Sequence, residues 1–348
     1  MECRVLPKDS VLVGCIGNVG KLGMVSDKRS ATNQQINAVI CDKSHDSHFI
    51  YYCLHGNRAR LERAADKTTL PILNKTNFQN FEIATPPLPE QRKIAGVLGL
   101  VQCAIEQQER LIALTTELKK ALLHQLFTKG LRGEPQKQTE IGHVPQSWEV
   151  VSISAFGKVV TGSTPKTKVP EYYSPPEVDF IAPADLGGTR LIYDSEKKIS
   201  MAGLETIRRL PKDAVMCVCI GSSIGKVGMT TKERSATNQQ INSIICGERH
   251  ESAFVYYLLS YLCDYWRGFA TFGPVPILSK GSFEAIKIAL PETKEEEIEI
   301  SRSLCGLDAK IEVHMRKHAA LTALFRTLLH QLMTAQLRVH KLALPELA

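Results

Sequence analysis

The nonapeptide Arg29-Ser-Ala-Thr-Asn-Gln-Gln-Ile-Asn37 occurs a second time, unchanged, as Arg234–Asn242. Such a repeat constrains a fold more than any local propensity, because both copies have to adopt one design. The match extends both ways. Leu6-Pro-Lys-Asp9 answers Leu210-Pro-Lys-Asp213. Ile16-Gly17 and Gly20-Lys21 answer Ile220-Gly221 and Gly225-Lys226, with one residue inserted in the second copy. Downstream, Tyr51-Tyr52 answers Tyr256-Tyr257, and Leu123-His-Gln-Leu126 answers Leu329-His-Gln-Leu332. The period far exceeds the ~50 residues of the longest solenoid units. Each copy is therefore a whole domain followed by its own helix, and the chain is a tandem duplication.

The 348 residues leave room for two or three domains at about 100–200 residues each. With 43% hydrophobic and 23% charged residues the composition is that of a globular protein with real cores. No apolar run approaches the ~20 residues of a membrane span, and the N-terminus lacks the apolar stretch of a signal peptide. A cytoplasmic location is expected. Ten cysteines without a CxxC pair point to buried, reduced thiols rather than disulfides or zinc. A net charge of +7 permits a polyanionic partner without establishing one.

Apolar runs and turn residues predict strands over Ser10–Ile16, Lys21–Val25 and Ile36–Cys41, then a helix over Ser47–Ala64. After Pro86-Pro-Leu-Pro89 a long helix is expected, with apolar residues at Ile94, Leu98, Val101, Ile105, Ile112, Leu122 and Leu126, ending at Lys129-Gly130. In the second copy Trp148 and Val150 open the strand pattern. The second long helix has the cleaner seam: Ile300, Leu304, Leu307, Ile311, His314, His318, Leu321, Phe325, Leu328 and Leu332 step by four and three. This a/d pattern predicts that the two helices pack on one another. The expected fold is α+β, with two homologous mixed domains, the first incomplete, separated by two long antiparallel coiled-coil helices. The expected boundaries are 1–88 and 134–290 for the domains, and 89–133 and 291–340 for the helices.

The glycine–lysine turns at Gly17–Lys21 and Gly221–Lys226 resemble a phosphate loop only faintly. Leu22 and Val227 stand where Ser or Thr is needed, and strands rather than a helix follow. Lys21 and Lys226 remain candidates for nucleic-acid phosphate. Asn238 and Gln239, with their mates Asn33 and Gln34, are suited either to reading adenine or to holding turns. Their identity in both copies favours the second use. Thr161, Ser163, Thr164, Lys166 and Lys168, beside Tyr172, form a hydroxyl- and lysine-rich loop of the kind that positions phosphates. His314 and His318 lie four apart on the seam without an evident acidic third ligand. No catalytic motif or cofactor fingerprint is present.

Leu88-Pro-Glu-Gln-Arg-Lys-Ile-Ala95, Leu122-Leu-His-Gln-Leu-Phe127, Ile141-Gly-His-Val-Pro-Gln-Ser-Trp148 and Gly162-Ser-Thr-Pro-Lys166, in this order, resemble the specificity (S) subunit of type I restriction–modification systems. The second helix departs from the pattern at its start, where Leu290-Pro-Glu-Thr-Lys-Glu-Glu-Glu297 stands. The resemblance implies a non-catalytic subunit whose two target-recognition domains read the halves of a bipartite double-stranded DNA site, with the long helices between them as a ruler. It implies methyltransferase (M) and restriction (R) subunits as partners. It assigns S-adenosylmethionine, ATP and Mg to those partners and no cofactor to this chain. The rival readings are a nucleotide-hydrolysing enzyme built on the glycine–lysine turns and an interaction scaffold that does not touch DNA.

Ile141–Leu204 precedes the shared element of the second copy and has no counterpart in the first, where Met1 aligns near Glu205. The expectation is an N-terminally truncated subunit whose first domain exposes apolar surface and an unpaired sheet edge.

Overall fold

The computed structural model describes residues 5–26, 30–66, 70–271 and 273–339. Arg29, which opens the first nonapeptide, lies outside them. The chain divides into two compact units, Met1–Ala113 with Glu312–Ala348, and Leu114–Ile311. Among the described residues no helix is long and apolar enough to cross a membrane.

In the first unit, β1 (Val11–Gly14), β2 (Leu22–Met24) and β3 (Ile36–Val39) form an antiparallel sheet in the order β2-β1-β3. Against it packs α1 (Ser47–Gly56), which buries Phe49, Tyr52 and Cys53 and is capped by the Asp46 carboxylate accepting from the Phe49 N–H at 2.9 Å. The single helix expected over Ser47–Ala64 breaks at Asn57. There the side-chain amide donates to the Cys53 carbonyl and closes α1 before α2 (Arg58–Arg63) begins. A short α3 (Lys75–Gln79) follows, capped by Asn74. The long α4 (Leu88–Lys129) starts two residues earlier than Glu90, because Pro89 in the first turn lacks an N–H that would be unpaired there anyway. Val11, Val13, Leu61 and Leu73 are fully buried in this core, each contributing about 1.5–3 kcal/mol.

The second unit is larger. A hairpin of β4 (Gln136–Thr139) and β5 (Gly142–Pro145) leads to β6 (Glu149–Ser152), a 3₁₀ turn at Ile153–Phe156, and β7 (Gly157–Thr161). Then follow β8 (Val178–Ile181), β9 (Leu191–Ile192), β10 (Lys198–Ile199), α5 (Met201–Glu205) and β11 (Arg209–Leu210). The repeated element supplies β12 (Val215–Val218), β13 (Val227–Thr230), β14 (Ser235–Thr237), β15 (Ile241–Cys246), α6 (Ser252–Tyr261), α7 (Cys263–Arg267) and α8 (Lys280–Ala285). It closes with β16 (Lys287–Leu290) before the long α9 (Lys294–Met333). The main sheet has the order β7-β15-β12-β13-β9, a second one β10-β8-β14-β11, and β16 pairs with β6.

The duplication holds to the residue. Val11 faces Val39 and Met24 in the first unit, and their mates Val215, Ile244 and Met229 face each other in the second. The Leu6–Ser30 and Ile16–Ile72 bridges recur as Leu210–Ser235 and Ile220–Ile277. Asp9 and Asp213 share a left-handed φ, 64° and 61°. One stretch of the nonapeptide differs. Ser235–Thr237 is a strand, whereas beside it in the repeat only Ser30 makes a bridge. The reason is a missing partner: β14 is held by β8, which belongs to the segment without a counterpart.

Both units contain a stretch of α4 against a stretch of α9, and in each the two run antiparallel. In the first unit Glu90 meets Arg338, Gln108 meets His314 at 2.8 Å and Glu109 meets His318 at 3.1 Å. In the second, Lys119 meets Asp308 at 2.6 Å and the Leu131 N–H reaches Glu296. Every seam position from Ile300 to Leu332 is buried or half-buried. The seam histidines thus face polar side chains of α4. Cys15, Cys53, Cys217 and Cys219 are buried thiols, whereas Cys103 is exposed on α4, against the expectation of buried thiols.

Candidate nucleic-acid interface

Strand direction decides where the candidate residues lie in the second unit. Thr161 at the end of β7 faces Asn242 at the start of β15, Asn242 faces Cys217 near the end of β12, and Cys217 faces Val227 at the start of β13. The loop after β7, the Asn238-Gln-Gln240 turn and the glycine–lysine turn therefore share one end of the five-stranded sheet.

The loop after β7 is bolted to the repeat. The Gly162 and Ser163 N–H groups donate to the carbonyls of Ile241 and Thr237, both at 2.9 Å. Only glycine fits at 162, because a Cβ would stand 2.1 Å from the Asn238 carbonyl oxygen. Thr161 donates to the Asn242 side chain at 2.7 Å, and Thr164 to the Gln239 side chain at 2.8 Å. The far side is held by Tyr173, whose hydroxyl donates to the Pro165 carbonyl at 2.8 Å. Lys166 and Lys168 project from this frame and are exposed.

Asn238 is a turn-maker: its Oδ1 accepts the Gln240 N–H at 3.1 Å, as Asn33 does for Gln35, also at 3.1 Å. Gln239 is exposed at the tip. Tyr172 is half-buried, and its carbonyl accepts the Ser200 N–H at 2.9 Å, tying the 3₁₀ turn Pro170–Tyr172 to α5. Lys226 is half-buried, and its ammonium donates to the Pro183 carbonyl at 3.1 Å. Its mate Lys21, in the first unit, is exposed, because Pro183 lies in the segment with no counterpart there.

The structure adds cations that local sequence reading missed. Arg208 donates through Nη1 to the Thr161 carbonyl at 2.8 Å, and its N–H to Ser163 Oγ at 3.1 Å. Beside it a cleft of about 590 Å³ is lined by Lys158, Arg208, Arg209 and Lys280 and by no carboxylate. The Arg208-Arg209 pair was the one visible signal, but its place beside β7 depends on β11 pairing with β14. Exposed lysines and arginines around a hydroxyl-rich loop suit contacts to a phosphate backbone. Both glycine–lysine turns join two strands, β1 to β2 and β12 to β13, with Gly17, Gly20, Gly221 and Gly225 at positive φ. They connect antiparallel strand pairs and are not loops opening a helix. Among the described residues no three His, Cys, Asp or Glu side chains are grouped to hold a metal.

The family model described as "Type I restriction modification DNA specificity domain" matches residues 1–120 and 145–323. A Methanocaldococcus jannaschii protein assigned as the MjaX specificity subunit of a type I restriction enzyme is 26% identical over 286 residues, covering 80% of this chain and 64% of the relative. The MjaVIII specificity subunit of the same organism is 24% identical over 351 residues, covering 93% of this chain and 76% of that one. This chain thus spans under two thirds of the first relative and about three quarters of the second. The crystal structure of a type I restriction–modification S subunit from M. genitalium shares the fold, with a TM-score of 0.67 at 18% identity over 95% of this chain and 84% of the other.

Proposed function

Since the chain belongs to the type I restriction modification DNA specificity family, we propose that it recognises a DNA sequence on behalf of partner subunits that carry out methylation and cleavage. The observation that carries this reading is the cationic edge of the main sheet in the second unit, along β7 and the loop after it. There the Gly162–Lys168 loop, the Gln239 tip and the Arg208–Lys158 cleft adjoin, without a carboxylate in the cleft. In this reading Lys166, Lys168, Lys158 and Arg209 neutralise phosphates. Thr164 and Gln239, which hold each other's side chains, reach base edges, and Asn238, Tyr172 and Tyr173 shape the frame. Lys226 steadies the Pro183 loop. Lys21 occupies the matching place in the first unit. S-adenosylmethionine, ATP and magnesium belong to the methyltransferase and restriction subunits, and the setting is the cytoplasm.

The test is the salt dependence of binding to a duplex, assembled with the methyltransferase subunits. Each phosphate contact contributes about 0.9 to the slope of log K against log salt. Lys166→Ala with Lys168→Ala should flatten the slope by about 1.8 and weaken all sequences alike. Lys226→Ala, whose ammonium is already engaged, should change it by less than about half a contact. An unchanged slope in the double variant would remove the loop from the interface.

A further inference from the structure

Three loops adjoin in order along one end of the main sheet in the second unit. The loop after β7 holds the turn before β15 through the bond from Thr164 to Gln239 at 2.8 Å. That turn holds the turn after β12, where the Cys219 N–H donates to the Gln240 carbonyl at 2.8 Å. The turn after β12 carries residues 273–277: the Gly221 N–H donates to the Pro276 carbonyl at 2.9 Å, and Ile220 bridges Ile277. Thr271 closes the base of this last loop. Its N–H donates to the Ile277 carbonyl at 2.9 Å, and its hydroxyl accepts the Ile277 N–H at 3.1 Å.

Val275 in this loop is 57% exposed, with β7, β8 and β9 all in place. Its side chain has little freedom. Pro276 confines Val275 to extended backbone, Pro274 has a fixed φ, and β-branching restricts χ1. Single exposed apolar residues are common on protein surfaces; the repeat sets this one apart. The first unit anchors the matching loop in the same way, with the Gly17 N–H donating to the Pro71 carbonyl at 2.9 Å and Ile16 bridging Ile72. The mate of Val275 there is Leu70, 52% exposed. The anchoring proline and isoleucine are the same in both copies, whereas the exposed apolar residue is kept but changed in shape. A fixed frame with a variable apolar tip is what two domains that read different sequences require.

We propose, resting on the DNA reading above, that Val275 is a specificity-determining residue that packs on the C5-methyl group of a thymine in the major groove, while Lys166 and Lys168 hold phosphates. The spacing fits. From β7 across β15 to β12 is two strand spacings, roughly 10 Å, and the major groove is about 12 Å wide. Lysines on the phosphates at one wall of the groove therefore leave the turn after β12, and the loop it carries, over the bases. The chemistry fits as well. A valine side chain has no donor or acceptor with which to tell bases apart, and the thymine methyl is the apolar mark that the major groove offers.

The full chain, assembled with the methyltransferase subunits, is used to select its preferred duplex from a random pool. Each thymine of that duplex is then replaced in turn by uracil, which lacks only the methyl group. At one position uracil should weaken binding about fourfold, the worth of one buried methyl. Val275→Ala should bring that thymine-to-uracil ratio to about one and leave the salt slope unchanged, which also shows that the variant is folded. Lys166→Ala with Lys168→Ala should do the opposite, keeping the ratio and flattening the slope. A duplex in which no uracil matters, or a ratio that Val275→Ala does not move, would overturn the assignment and leave the DNA reading standing. Loss of the ratio together with the slope would make Val275 part of the frame and equally overturn it. Absence of any sequence preference in the unaltered complex would overturn the DNA reading itself, and the role of Val275 with it.

Discussion

Replacing Gly162 by alanine should uncouple the loop that presents Lys166 and Lys168. The added methyl would lie 2.1 Å from the Asn238 carbonyl oxygen and 2.4 Å from both the carbonyl and the hydroxyl oxygen of Thr237. Two of these three atoms are backbone, fixed in the turn between β14 and β15, so the loop rather than its neighbours must yield. Moving it out far enough to restore contact distance breaks the Gly162 and Ser163 N–H bonds, both 2.9 Å long, to Ile241 and Thr237. At about 0.5–1.5 kcal/mol net for each bond, the loss is about 1–3 kcal/mol. With a urea m-value of about 2–3 kcal/mol per M, the midpoint falls by about 0.3–1.5 M. Duplex affinity should fall at urea-free conditions where the variant is still folded, because the lysines lose their frame. Gly188→Ala, where an added Cβ meets nothing within 4 Å, is the control and should leave both measurements unchanged. A Gly162→Ala chain with wild-type midpoint and wild-type affinity would refute the reasoning.

Tyr257 is buried, and its hydroxyl donates to Asp308 at 2.5 Å while Lys119 donates to the same carboxylate at 2.6 Å. Asp308→Ala should therefore cost about 2–3 kcal/mol in chemical denaturation and Tyr257→Phe only about 1, and equal costs would show that the carboxylate does not join the two donors. Burial raises the Glu297 carboxyl above its ordinary range, against the opposing pull of the Glu251 N–H and His250. The folded chain thus keeps a proton that the unfolded chain has released, so this contribution is full below about pH 4.3 and is lost as pH rises through the folded value. Glu297→Gln should gain stability relative to wild type as pH rises above about 4.3, and parallel stability curves would contradict it.

The chain by itself determined the duplication, because nine identical residues in two places leave one design for both. It also determined the helical seam, since its four-and-three spacing is a property of one helix. The hairpin character of the glycine–lysine turns followed equally from the residues after each lysine. Boundaries set by competition were not legible: Asn57 splits the helix after Ser47 by bonding back to Cys53, a choice that propensity along Ser47–Ala64 does not reveal. Nor was the cationic face. Lys158, Arg208 and Lys280 are scattered along the chain and share a cleft only because β7 pairs with β15 and β11 with β14. The pairing of β8 with β14 likewise brings Pro183, whose carbonyl accepts from the Lys226 ammonium, beside the glycine–lysine turn. Side-chain periodicity is written into neighbouring residues, but a ladder joins residues far apart, so what each edge strand meets is decided only when the sheet assembles. For that reason one identical stretch, Ser30–Thr32 and Ser235–Thr237, is a strand in the copy that has β8 and a single bridge in the copy without it.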